Sequence, residues 1–142
     1  MIGRVYPFKK QAKYPHMKPE DVAVWERFID QNPEYFLECE YDVAVGEGAP
    51  QNPEHADNIQ YDGKILTQKK LDVVGYRNED IVLVEVKPVA NMRGLGQILT
   101  YEKFFNATYP QTLPVRKMIV CGSVERELDA MFKEHDIIIK VA

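Results

Sequence analysis

The stretch LDVVGYRNEDIVLVEVKPV, residues 71–89, limits the possible folds more than any other part of the chain. Two apolar, β-branched runs flank the polar pair Asn78-Glu79, which predicts strands over about 65–77 and 80–88 joined by a two-residue turn. With that turn, cross-strand partners have numbers summing to 157, so Asp72 faces Glu85 with β-carbons ~5 Å apart. Lys87 shares their face because strand side chains alternate with a period of two. Val74, Tyr76, Ile81 and Leu83 stand on that face as well, and Leu71, Val73, Val82, Val84 and Val86 on the reverse. A hairpin apolar on both faces belongs at the centre of a sheet covered on both sides.

Two carboxylates opposed in such a place repel each other, and burying either without a partner is costly. Two arrangements relieve that cost. A divalent cation can sit between them, and their hard oxygens suit magnesium or manganese, ions that act where phosphates are attacked. Lys87 would then orient the attacking water. Alternatively, Lys87 simply bridges Asp72 and Glu85 at the end of a sheet.

The elements around the hairpin follow from periodicity and punctuation. Pro19, with Glu20 and Asp21 behind it, opens a helix that runs to about Asp30, before Asn32-Pro33. Its buried stripe is Val22, Trp25 and Ile29, helped by Phe28. Residues 35–45 read as a strand and residues 46–63 as an exposed loop. A helix over 93–107 turns Leu95, Ile98, Leu99 and Phe105 to one side. An apolar strand covers Val115 to Cys121, and Pro88 is expected to end the second hairpin strand. Gly122-Ser123 reads as a turn capping a helix over 124–134, and a strand over 136–141 ends the order α-β-β-β-α-β-α-β. A mixed sheet flanked by helices follows, with a parallel crossover joined to an antiparallel hairpin.

The net charge of −4 exerts no general pull on nucleic acid, but its distribution is uneven. Residues 1–18 hold Arg4, Lys9, Lys10, Lys13 and Lys18 and no acid, while residues 19–142 set thirteen basic residues against 22 acidic ones, a balance of −9. A basic N-terminal arm (1–18) on an acidic domain (19–142) can hold a phosphate backbone locally, with Lys9, Lys10 and Lys13 as contacts among Tyr6, Phe8 and Tyr14. A solvated terminus, or an arm docked on its own body or a second subunit, explains the same residues. Cys39 and Cys121 are expected to be buried thiols. The chain is expected to be cytoplasmic, with neither a signal peptide nor a membrane span. His55 near Asp57 reads as a solvated loop histidine, and Ser123 lacks a histidine partner for a hydrolase triad.

Beyond Lys87, Arg93 reinforces an anion site at the opening of the next helix, and Gln97 and Tyr101, four apart, share one side of it. Taken together, Asp72, Glu85-Val86-Lys87 and Gln97-Ile98-Leu99-Thr100-Tyr101 resemble the PD-(D/E)XK nuclease superfamily. The glutamine-tyrosine pair resembles its RecB-like branch, and the likeness is nearest to the nuclease domain of NucS-type endonucleases.

That resemblance implies a restriction-endonuclease-like α/β core and a hydrolase that uses Mg2+ or Mn2+ to cut DNA. It implies Asp72, Glu85 and the Val86 carbonyl as metal ligands and Lys87 as the group that positions water. Gln97 and Tyr101 would support the site and the substrate strand. Such families often add an acid from the first helix, for which Glu26 is the candidate, with Glu38 and Glu40 as rivals; a boundary glutamate reaching to solvent is the other reading of Glu26. These 142 residues hold no counterpart of the second domain that NucS-like enzymes use for binding and assembly. Substrate would therefore be found through the chain's own surface, a homodimer or a protein partner. The expected substrate is branched, flapped or single-stranded DNA cut by an endonuclease, with RNA as a further possibility. The alternative is a non-catalytic module that keeps the fold to bind nucleic acid or protein.

Overall fold

The computed structural model of the chain describes residues 2–48 and 68–142. His55, Asp57 and nearly all of the expected 46–63 loop lie outside the described residues. The elements are β1 (Tyr6–Pro7), α1 (Pro19–Gln31), β2 (Glu38–Val45), β3 (Lys69–Tyr76), β4 (Ile81–Ala90), α2 (Met92–Thr108), β5 (Val115–Val124), a 3-10 turn (Arg126–Leu128), α3 (Asp129–Glu134) and β6 (Ile137–Val141). The strands form one sheet in the order β1-β2-β3-β4-β5-β6. Strands β1 to β4 pair antiparallel, and β4, β5 and β6 pair parallel, so the sheet is mixed. The expected order gains one strand, β1, which comes from the N-terminal arm.

Each face of the sheet carries its own core. Trp25 and Phe28 of α1 pack with Val82, Val84, Val86, Met118 and Val120 on one side. Ile98 and Phe105 of α2, with Phe132 of α3, pack on Val74, Leu83 and Ile119 on the other. Trp25 is fully buried, and its indole N–H donates to the Tyr41 hydroxyl at 3.1 Å. Val22 is only partly buried, and Val24 takes a place in the α1 stripe instead. The arm is docked rather than frayed: Tyr6 pairs with Cys39, and Phe8 and Tyr14 are buried.

The β3–β4 hairpin keeps the expected register, with Val73 opposite Val84 and Tyr76 opposite Ile81. The Arg77 N–H donates to the Asp80 carbonyl at 3.0 Å, leaving Asn78 and Glu79 as the two turn residues. Gly75 is required here, because a β-carbon at that position would overlap the Phe36 ring. Gly75→Ala should therefore cost about 1–3 kcal/mol through overpacking, measured as a lowered urea midpoint. A midpoint equal to the parent's would show that Phe36 can move aside freely.

Three expectations are corrected. Leu71 does not join Val73 on the reverse face. Leu71 and Val43 pack on the α2 side, whereas Val73 and Tyr41 pack on the α1 side. Between these pairs the ladder skips Asp42, with φ 54, and Asp72, so the β2–β3 ribbon changes sides at that point. Pro88 does not end β4, which runs on to Ala90 beside β5. The Val86 N–H points toward β3, so the Pro88 nitrogen, two residues on, faces the same way; β3 has parted from β4 there and no ladder bond is lost. Finally, Ser123 caps no helix. It pairs with Val89, and the Glu125 N–H bonds the Ala90 carbonyl at 3.1 Å, which carries β5 to Val124 and shortens the last helix to Asp129–Glu134.

Candidate metal and nucleic-acid site

The paired ladder of β3 and β4 stops at Val73 and Val84, one residue short of the two acids. There the carboxylates take over as acceptors. The Val86 N–H donates to Asp72 Oδ2 at 2.9 Å, and the Asp72 N–H points at Glu85 Oε1 at 3.4 Å. Each acid thus reaches across the gap to the opposite backbone. Val86 also turns its carbonyl to this side, because a strand residue presents N–H and C=O along one edge.

The electrostatics match the crowding. Glu85 is 3% exposed, and burial together with the facing charge of Asp72 pushes its carboxyl up to about 9, with Lys87 pulling the other way. Asp72 is also raised, by burial, against the opposing pull of the Val86 amide and Lys87. A raised folded value means that the folded protein holds a proton the unfolded chain releases, so this stability is present at low pH and lost as pH rises from about 4.5 to about 9. In EDTA the melting temperature should fall across that window and fall less in Glu85→Gln. A parent whose stability climbs with pH as steeply as the variant's would contradict this.

Lys87 is half-buried, with its Cγ beside Gly94 in the first turn of α2. Asn91 caps that helix by accepting the Gly94 N–H at 2.9 Å. Tyr101, one of the buried residues of α2, has its hydroxyl pushed up by burial and then by Glu85, with Gln97, Asp72 and Arg93 also within reach. Gln97 Oε1 is buried without a partner among the described residues, an acceptor turned inward beside this pocket of charge. Asp72, Glu85, Lys87, Gln97, Tyr101 and Arg93 are therefore gathered where β3, β4 and α2 meet.

Other candidates lie elsewhere. Glu26 accepts the Tyr14 hydroxyl at 3.0 Å and serves the arm. Glu40, 2% exposed, accepts the Ile2 and Gly3 amides at 2.8 and 2.9 Å and the Tyr76 hydroxyl at 3.0 Å. Glu38 stands at the far end of β2, opposite Pro7 and Tyr76. The α1 acid that senses the site is Asp21, raised by burial and by Glu20 and lowered by Lys87, and itself felt by Asp72. The sequence reading passed over it as a first-turn acid suited to the helix dipole. Of the arm lysines, Lys10 pairs with Asp30 at 3.1 Å, while Lys9 and Lys13 are exposed and form no ion pair among the described residues.

Among the described residues no three His, Cys, Asp or Glu side chains are grouped to hold a metal. Two carboxylates and a backbone carbonyl, all hard oxygen donors, still fit magnesium, which keeps several waters and binds through one or two carboxylates plus substrate phosphate. No described helix is long and apolar enough to cross a membrane.

A mixed sheet with helices on both faces and opposed acids where two central strands part is the arrangement of a restriction-endonuclease-like α/β domain. A solved structure supports that fold: the chain is similar to a repair endonuclease from Pyrococcus abyssi, with a TM-score of 0.51, 16% sequence identity and coverage of 92% of this chain and 49% of that one. It thus spans about half the length of that endonuclease. No family model and no curated protein matches the chain.

Proposed function

We propose that the chain is a divalent-metal-dependent nuclease of the PD-(D/E)XK type, in its RecB-like branch, hydrolysing DNA phosphodiester bonds as an endonuclease on branched, flapped or single-stranded DNA. The observation that carries the proposal is the pair of half-buried Asp72 and buried Glu85, each reaching across the gap where β3 and β4 part, with Lys87 on the same strand as Glu85. The fold shared with a repair endonuclease supports it.

Asp72, Glu85 and the Val86 carbonyl would hold Mg2+ or Mn2+, which supplies Lewis-acid activation of water and charge neutralisation at the phosphate. Lys87 would orient the attacking water through its ammonium and offset the negative charge that develops on the phosphoryl oxygens. Gln97 offers its buried oxygen as an acceptor to the water or to Lys87, and Tyr101 offers a hydroxyl that stays protonated, hence a donor, to Glu85 or the phosphate. Arg93, exposed at the start of α2, would draw the phosphate toward the helix opening. Lys9, Lys10 and Lys13 would hold the backbone further along.

Purified protein should cut single-stranded or flapped DNA with Mn2+ or Mg2+ and leave it intact in EDTA. Cleavage undiminished by EDTA would overturn the metal requirement. DNA binding with no cleavage under any divalent ion would favour the non-catalytic module, and matched RNA strands run beside DNA decide the substrate class.

A further inference from the structure

We propose that the N-terminal segment, lying against β2, forms a cleft that binds the sugar-phosphate backbone of a single-stranded nucleic-acid segment and leads it toward Asp72. The direction of that path rests on the nuclease reading above; the binding does not. The cleft is open, about 570 Å³, and is lined by Arg4, Tyr6, Lys13, Tyr14 and His16. That volume lies in the roughly 300–1,000 Å³ range that encloses nucleotide-sized groups.

Its chemistry is that of a phosphate track with aromatic walls. Arg4 and Lys13 are exposed, and neither is paired with a carboxylate among the described residues. The Arg4 guanidinium lies over the Tyr6 ring, 4.9 Å from its centroid. The backbone before Arg4 is fixed from below, because buried Glu40 accepts the Ile2 and Gly3 amides. Tyr14 forms the floor, tied to the Gln11 amide and to Glu26. These bonds hold the two cations in place on a terminus that charge alone would leave loose.

The cleft also points somewhere. His16 Nε2 lies 3.5 Å from Asp42 Oδ2 at its end, and both residues have φ 54, a left-handed conformation uncommon outside glycine. Asp42 and Asp72 lie between the paired residues Tyr41–Val73 and Val43–Leu71, where the β2–β3 ladder skips a pair. A strand lying in the cleft and passing His16 would therefore be led toward Asp72. Lys9 and Lys10 are not in its lining, so within the cleft Arg4, Lys13 and His16 are the contacts, and Lys9 and Lys10 lie outside it.

The test is fluorescence anisotropy of a labelled oligothymidine with the full chain in EDTA, where nothing is cut. Arg4→Ala/Lys13→Ala should weaken binding about tenfold or more and reduce the slope of log affinity against log salt by roughly 1.4, about 0.7 per lost phosphate contact. Lys133→Ala, beside the opposite edge of the sheet, should bind like the parent, and because EDTA prevents cleavage throughout, the readout is binding alone. Arg4→Gln/Lys13→Gln, with its melting temperature recorded, guards against a folding defect. Oligouridine binding that is weakened by the same pair supports backbone recognition. Parent-like affinity and slope in both double variants overturn the cleft, as does equal weakening by Lys133→Ala, or capture of polyglutamate in place of the oligonucleotide.

Discussion

Asp72→Ala should lose metal-dependent DNA cleavage by a factor on the order of 10³, comparable with removing a principal transition-state stabiliser. The substitution does two separable things. It removes one of two buried charges that repel each other, and it deprives the Val86 N–H of its acceptor. Asp72→Asn keeps the acceptor and removes only the charge. Cleavage should be lost in both variants, and so should any rise in melting temperature on adding Mn2+. In EDTA the two should diverge: the asparagine variant melts at or above the parent, while the alanine variant carries the roughly 1–3 kcal/mol cost of an unsatisfied buried amide. An Asp72→Ala protein that cuts as fast as the parent would sink the nuclease assignment.

The largest stability loss should come from Trp25→Ala, about 3–5 kcal/mol. The side chain is fully buried between α1 and the sheet, next to Phe8, Phe28 and Tyr41, and its N–H is the donor to Tyr41. That loss is a large share of the roughly 5–15 kcal/mol that holds an ordinary domain together. Trp25 is the sole tryptophan, so unfolding should be followed by circular dichroism in urea rather than by its fluorescence. Trp25→Phe should recover most of the loss, because a six-membered aromatic ring is kept and only the pyrrole portion with its hydrogen bond is gone. A Trp25→Ala midpoint within about 1 kcal/mol of the parent would mean that α1 is held by other contacts.

What could be read beforehand depended on local rules that the fold obeys. The two-residue turn at Asn78-Glu79 set the pairing of β3 with β4, and extending that register by one residue puts Asp72 across from Glu85. Helix α1 followed from Pro19 and its apolar period, and α2 from the spacing of Ile98 and Phe105. Failures arose where one residue changed direction for reasons outside its own segment. The left-handed Asp42 sent Leu71 to the other face, which alternation along β3 alone could not reveal. Ser123 resembles a cap in isolation, yet β4 keeps β5 extended past it. Glu26, with Glu38 and Glu40 as rivals, is the α1 acid the sequence suggests, yet it bonds Tyr14, whereas Asp21 is the α1 acid that interacts with Lys87 and Asp72, a tertiary property that helix periodicity does not carry. Arg4, the buried glutamate beneath it and His16 carried no motif, since their roles come from contacts between residues 26 to 38 apart in the chain.

The order of the strands across the sheet is also their order along the chain. No strand has to be inserted between two already paired, so the sheet can be laid down from one edge to the other as the chain emerges from the ribosome. The β3–β4 hairpin closes a two-residue loop, whereas the pairing of β5 must wait for the whole of α2. In that order of assembly Asp72 and Glu85 would meet while water still covers both and would be dried as α2 docks. Their mutual repulsion would then be imposed only after the pairing that enforces it.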